Sequence, residues 1–200
     1  MPLQNNLATA SKCIFPMANN WLSFTLQNHT RDALHEISKI IEHFVAFRCT
    51  YAQSLHMTAV FLGKQVKSKD VPLLFETMDD VVLSGEFKFN KLMFFPPGNG
   101  QLIVAQFDCS ANVKPMLSRF KQSLRTTMNY QIDHKTDKEN YIAHVTLGKV
   151  MIGKNDLKHL KKSNILEQIM ETFRETFEES HLDMAIDSEN PVYMCGAVPL

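Results

Sequence analysis

The sequence predicts an α+β protein in which two similar β-α-β lobes, related by a pseudo-two-fold, face each other across a central cleft. Three observations lead there. The pattern His-x-Thr occurs twice, as His56-Met57-Thr58 and His144-Val145-Thr146, each inside an apolar run: residues 55–62 (LHMTAVFL) and 141–150 (YIAHVTLGKV). A Gly-Lys pair accompanies each run, Gly63-Lys64 and Gly148-Lys149. Around these runs, segments with helical apolar spacing alternate with short aromatic and β-branched stretches. The order strand, helix, motif strand, helix then recurs: Trp21 lies 35 residues before His56, and Leu102 lies 42 before His144. A polar loop at 129–140 absorbs the longer interval.

The elements follow in order. Residues 1–19 are polar and irregular, and 21–26 (WLSFTL) read as a strand. Thr30 is placed to cap a helix over 31–47, with Ala33, Leu34, Ile37, Ile40, Ile41, Phe44 and Val45 at helical spacing. The first motif strand follows. Asp70 is placed to cap a helix running to about Leu83, with Pro72 tolerated in its first turn. Residues 87–95 and 101–107 read as a hairpin around Pro96-Pro97-Gly98-Asn99-Gly100. Ser110 is placed to cap a helix presenting Val113, Met116, Leu117, Phe120 and Leu124 on one face. After the second motif strand, residues 156–179 are helical, broken near Ser163-Asn164, where Asn164 and Glu167 suggest a new cap. Residues 182–186 and 192–198 read as closing strands. The whole chain, 1–200, is expected to be one domain, with lobes at roughly 20–95 and 100–198.

In a strand, residues i and i+2 point to the same face, so each His emerges beside its Thr. One imidazole cannot act as general base and general acid in the same step, but two can. Imidazole titrates near pH ~6.5, so one neutral and one protonated ring coexist at neutral pH. The Thr hydroxyls can hold phosphate oxygens. His56 and His144 are therefore the candidate catalytic residues, and Thr58 and Thr146 the candidate phosphate ligands.

Composition narrows the alternatives. The chain has 200 residues, is 44% hydrophobic and carries a formal net charge of +0, enough apolar content for a substantial core. Neutrality argues against a protein that coats long nucleic acid, while leaving room for a local basic cleft. Cys13, Cys49, Cys109 and Cys195 are scattered without a C-x-x-C, so buried thiols in a reducing compartment are expected, not a disulfide framework or a zinc site. The remaining histidines show no metal-ligand spacing. No apolar stretch reaches membrane-spanning length. A cytoplasmic monomer is expected, and nothing argues against the nucleus.

These motifs resemble those of the two-histidine (2H) phosphoesterase superfamily. His56-Met57-Thr58-Ala59-Val60-Phe61-Leu62-Gly63 is similar to the pattern H-x-T-L-x-F-L-G, departing at Ala59. His144-Val145-Thr146-Leu147-Gly148-Lys149 is similar to H-x-T-L-x-R, with Lys for Arg. The nearest branch is the RNA 2′,3′-cyclic phosphodiesterase, or 2′-5′ RNA ligase-like, group. The resemblance implies a bilobal fold with the cleft between two antiparallel sheets, helices outside and strand exchange between lobes. It implies a metal-independent phosphodiesterase without cofactors, acting on RNA ends, short oligonucleotides or cyclic nucleotides: 2′,3′-cyclic phosphates or 2′-5′ oligoadenylate. Lys149 occupies the position of a phosphate-contacting Arg, but it lacks the bidentate fork, and strict alternation turns it away from His144 unless a bulge near Gly148 re-aims it.

For base stacking, Tyr141 is the first candidate, although its parity relative to His144 points to the opposite face; Phe15, Trp21, Phe95 and Tyr193 are others. Lys158, Lys161 and Lys162 read as a solvated helix face. Two other classes compete with the enzyme: a non-catalytic RNA- or nucleotide-binding module that keeps the cleft, and a scaffolding domain with incidental motifs.

Overall fold

The computed structural model describes residues 19–63, 70, 73–74, 85–97, 100–129, 141–177, 184 and 186–196. Its elements are β1 (Asn19–Leu26), α1 (Asn28–Phe44), β2 (Phe47–Cys49), a 3-10 turn (Ala52–Ser54), β3 (Met57–Gly63), β4 (Phe87–Phe95), β5 (Leu102–Cys109), α2 (Val113–Met128), β6 (Ala143–Val150), α3 (Lys154–Leu160), α4 (Ile165–Thr176) and β7 (Ile186–Gly196).

The fold is α+β. The strands form an antiparallel sheet in the order β4-β5-β6-β3-β1-β7, with β2 also paired to β6. That order is a palindrome: β6 answers β3, β5 answers β1 and β4 answers β7. A pseudo-two-fold therefore passes between β3 and β6, which share a single pairing, Met57 with Val145. The chain crosses between halves four times, into β2 and back, then into β4 and finally into β7. β4 lies on β5, and the C-terminal β7 lies on β1.

One face of the sheet carries the core. Leu22 and Phe24 of β1, Met57 of β3, Ile103 and Ala105 of β5, and Val145 and Leu147 of β6 are all fully or almost fully buried. The apolar stripe of α1 (Ala33, Leu34, Ile37, Ile41) and that of α2 (Val113, Met116, Leu117, Phe120, Leu124) are buried with them, so the periodicity read from the sequence is the packing face. The helix α4 contributes Ile169, Met170 and Phe173 and packs against α1.

Several boundaries move for tertiary reasons. The helix α1 starts earlier than Thr30 and ends at Phe44; Gln27 is its N-cap, without a side-chain bond, and Thr30 is buried inside the first turn. Phe47, the last residue of the predicted helix, instead opens β2, because β6 offers residues 47–49 a ladder. Asn112, not Ser110, is the N-cap of α2. The Ser110 hydroxyl instead accepts from the Glu86 amide at 3.0 Å and donates to Asn112 Oδ1 at 2.6 Å. Asn129 closes α2 in the left-handed conformation, φ 49°. The predicted break near 163–164 separates α3 from α4. Of the two predicted closing strands, Ile186 and residues 192–196 lie on one strand, β7, whose ends both pair with β1 while residues 188–191 bulge out between Asp187 and Val192; Met184 is outside it, and residues 182–183, 185 and 197–198 lie outside the described residues. The helix predicted from Asp70 falls largely outside the described residues. No helix among the described residues is long and apolar enough to cross a membrane.

Gly148 is where β2 lies too close for any side chain. A Cβ there would overlap the Arg48 carbonyl oxygen and stand 2.6 Å from the Phe47 ring. The backbone of β2 cannot yield without losing its ladder. Gly148→Ala is expected to cost about 1–3 kcal/mol, the usual range for overpacking. Urea unfolding measures it, and a change below about 0.5 kcal/mol contradicts the close approach.

Candidate functional site

The site is built around the Met57–Val145 pair. Because both side chains enter the core, the residues flanking them emerge on the opposite face. Antiparallel register sets His56 across from Thr146 and Thr58 across from His144, with the two rings on a diagonal. All four are half-buried where Met57 and Val145 are fully buried. The structure thus brings His56, Thr58, His144 and Thr146 together on one face, two residues from each half.

Both rings are held the same way. Nδ1 of His56 donates to the Ser54 carbonyl at 2.7 Å, and Nδ1 of His144 to the Ile142 carbonyl at 2.8 Å. A carbonyl can only accept, so Nδ1 carries the proton in both rings. Nε2 is the ring nitrogen turned away from that carbonyl. It is a lone pair in the neutral ring and a donor in the charged one. An aromatic ring backs each imidazole. Trp21 of β1 stacks on His56 at 5.5 Å between centroids, and Phe95 of β4 stacks on His144 at 4.2 Å. Burial pushes both imidazoles below their ordinary pKa, against the opposing pull of the carbonyl bonds. The His56 charge lowers His144 further.

A bulge follows each motif at the same place. On β3, Thr58 and Val60 pair with the consecutive Ser23 and Leu22, leaving Ala59 extra. On β6, Thr146 and Gly148 pair with the consecutive Val104 and Ile103, leaving Leu147 extra. One extra residue reverses the alternation beyond it. Lys149, paired with Leu102, therefore returns to the face of His144 and Thr146, whose partners are Gln106 and Val104. Its counterpart Phe61 returns to the face of Thr58. Arg48 of β2 pairs with Lys149 and adds a second cation to that face.

Tyr141, read from the sequence as a stacking platform, is engaged otherwise. Its hydroxyl donates to the Thr58 carbonyl at 3.0 Å, a strut from β6's approach to the other half, and burial pushes its phenol up. The rings against the histidines belong to Trp21 and Phe95. Phe15 and the Tyr193 side chain lie outside the described residues. Sequence reasoning also passes over Ser23, Phe61, Gln106 and Arg48. Strict alternation in WLSFTL would have found Ser23 beside Trp21; the other three depend on bulges and pairing. Ser23 Oγ and Trp21 Nε1 are buried without a hydrogen-bond partner among the described residues.

Other chemistries find less support. The Cys49 thiol donates to Glu42 at 3.0 Å and is pushed up to about 12 by burial and by that carboxylate, which disfavours the thiolate. Among the described residues, no three His, Cys, Asp and Glu side chains gather as a metal site.

No protein-family model and no characterised protein sequence matches the chain. Solved structures do. The protein TT0787 of Thermus thermophilus aligns over 68% of this chain and 75% of its own, at 16% identity and a TM-score of 0.55. The Agrobacterium tumefaciens protein ATU0111 aligns over 93% and 84%, at 14% identity and a TM-score of 0.56. E. coli LigT aligns over 68% and 77%, at 16% identity and a TM-score of 0.48. The palindromic sheet that carries one His-x-Thr at each of its two central strands is thus a fold shared with TT0787 and ATU0111.

Proposed function

We propose that the protein is a metal-independent phosphodiesterase acting on 2′-linked RNA phosphates, either 2′,3′-cyclic phosphate ends or 2′-5′ oligoadenylate, by paired-histidine acid–base catalysis. The observation that carries this reading is the matched pair of Nδ1–carbonyl bonds on the two sides of Met57–Val145. A binding module needs no matched tautomers. An acid–base pair does, because each Nε2 must be free to take a proton or to give one.

For a cyclic phosphate, one Nε2 takes a proton from water as the water oxygen bonds to phosphorus. The other Nε2 gives its proton to the 3′ oxygen as the P–O3′ bond breaks, leaving a 2′-phosphate. For a 2′-5′ diester, the free 3′-hydroxyl replaces water and the 5′ oxygen leaves. Either turnover exchanges the protonation states of the rings, which solvent resets. Thr58 and Thr146 hold non-bridging oxygens, and Lys149 offsets charge developing on the phosphate.

His56→Ala and His144→Ala are each expected to lower kcat by about 10²–10⁴-fold with folding intact by circular dichroism. Thr58→Ala and Thr146→Ala should cost less. The double His variant should fall little below either single one, because residues acting as a unit are non-additive. A single His variant with near-normal turnover ends the reading.

The pH profile follows from the directions of the two shifts. The active form is the singly protonated pair: it is lost to a second proton on the acid side and to deprotonation on the alkaline side. Both imidazoles are pushed down, so both limbs move toward acid and kcat/KM should peak below about pH 6.5, the ordinary imidazole value. Bound phosphate favours imidazolium, so the bell in kcat should lie at higher pH than the bell in kcat/KM. Rates from about pH 4.5 to 9 decide it; a monotonic rise overturns the mechanism.

Turnover of an RNA ending in a 2′,3′-cyclic phosphate should persist in EDTA. Loss on chelation with recovery on added zinc or magnesium would make the histidines ligands.

A further inference from the structure

The chain balances 21 basic against 21 acidic residues, yet one groove does not. It encloses about 1010 Å³ between the tip of the β4–β5 hairpin, the end of β6 and the helix α3. Five of its lining residues are lysines, Lys149, Lys154, Lys158, Lys161 and Lys162, and none is acidic. Four of the five fall at i, i+4, i+7 and i+8, a single stripe along α3 and the turn after it. Like charges four apart destabilise a helix, so a short helix carrying this stripe bears a standing cost that a bound polyanion removes. The Lys161 ammonium is placed rather than trailing: Nζ sits 5.5 Å from the Phe94 ring centroid. The floor is apolar, formed by Phe95, Leu102 and Leu157.

Neither histidine lines the groove, but two of its lining residues connect it to them. Phe95, which lines it, is the ring stacked on His144 at 4.2 Å. Lys149, which also lines it, shares the face of His144 and Thr146 through the β6 bulge. A chain of phosphates leaving the reacting centre on that side would run onto the lysine stripe, with its bases over Phe95 and its neighbours.

We propose that this groove holds the backbone of a single-stranded oligonucleotide whose reacting phosphate lies between His56 and His144, so that the substrate is an RNA strand end and not a mononucleotide. The inference rests on the phosphodiesterase reading and names its substrate class. Backbone lysines give affinity without sequence preference, and apolar and aromatic floors take any base.

The full-length protein tests this with two substrates, a mononucleoside 2′,3′-cyclic phosphate and a single-stranded eight-nucleotide RNA with the same end. The octamer should show about 10-fold or greater kcat/KM, an advantage that disappears as salt rises. With about three phosphates neutralised by lysine, log(kcat/KM) should fall with log[salt] at a slope near −2, against a shallow slope for the mononucleotide. The variant Lys158→Glu/Lys162→Glu should bring the octamer down to the mononucleotide rate and leave mononucleotide turnover unchanged. Lys154→Gln/Lys158→Gln provides a milder second test in which the octamer slope flattens by about 0.7 for each lysine–phosphate pair removed. Equal rates and equal salt slopes for the two substrates overturn the proposal, as do lysine variants that leave the octamer unaffected. So does competition by polyglutamate as effective as by RNA. Turnover of neither substrate would defeat the phosphodiesterase reading alone. Fluorescence anisotropy with a 3′-phosphate octamer then decides the groove. Salt-dependent binding that disappears in Lys158→Glu/Lys162→Glu upholds it, and no binding overturns it as well.

Discussion

The pairing of Met57 with Val145 is the constraint on which the rest of the structure depends. It is the single ladder contact between β3 and β6, and therefore between the two halves of the sheet. Both side chains are fully buried, so the pair is held by the core and not by hydrogen bonding alone. A slip of one residue on either strand would send that strand's histidine and threonine into the core and its valine or methionine to solvent. Core packing thus specifies the geometry of the site. The middle residue of each His-x-Thr, the apolar one, is what sets the histidine and threonine beside it.

The two motif strands give their histidines matching surroundings. Both rings share the tautomer, the carbonyl partner two residues back and an aromatic backing. The symmetry is not complete. Trp21 reaches His56 from the adjacent strand β1, whereas the corresponding position on β5 is Leu102, and Phe95 reaches His144 from β4. The cations also lie on one side: Lys149 and Arg48 have Phe61 as the counterpart across the pseudo-axis. A symmetric pair of histidines therefore sits in asymmetric surroundings.

The two bulges show how local irregularity serves the site. Each follows its threonine directly, at Ala59 and at Leu147. Without them, period-two alternation would bury Lys149 and Phe61 or turn them against the helices. The departure from the family-like pattern at Ala59 falls on this extra residue, which is buried against the core where a smaller side chain fits.

Much of this is legible in the chain. The two His-x-Thr motifs, the α+β order, the hairpin at Pro96 and the packing faces of α1 and α2 follow from spacing, because burial imposes periods of 2.0 and 3.6 that composition cannot hide. Boundaries set by partners are not legible. The short strand β2 exists because β6 lies beside it, and Tyr141 is a strut because Thr58 offers a carbonyl that no local pattern announces. Lys158, Lys161 and Lys162 look like a solvated face in the sequence, since helical spacing reports only that a side is polar. That this side closes a groove with Lys149 and Phe95 depends on residues more than 50 positions apart in the chain meeting in space. The sequence by itself determined which residues could react and which faces would be buried. Only the tertiary structure decided which of them meet, because long-range contact is set by sheet pairing and bulge position, and neither leaves a periodic trace in the chain.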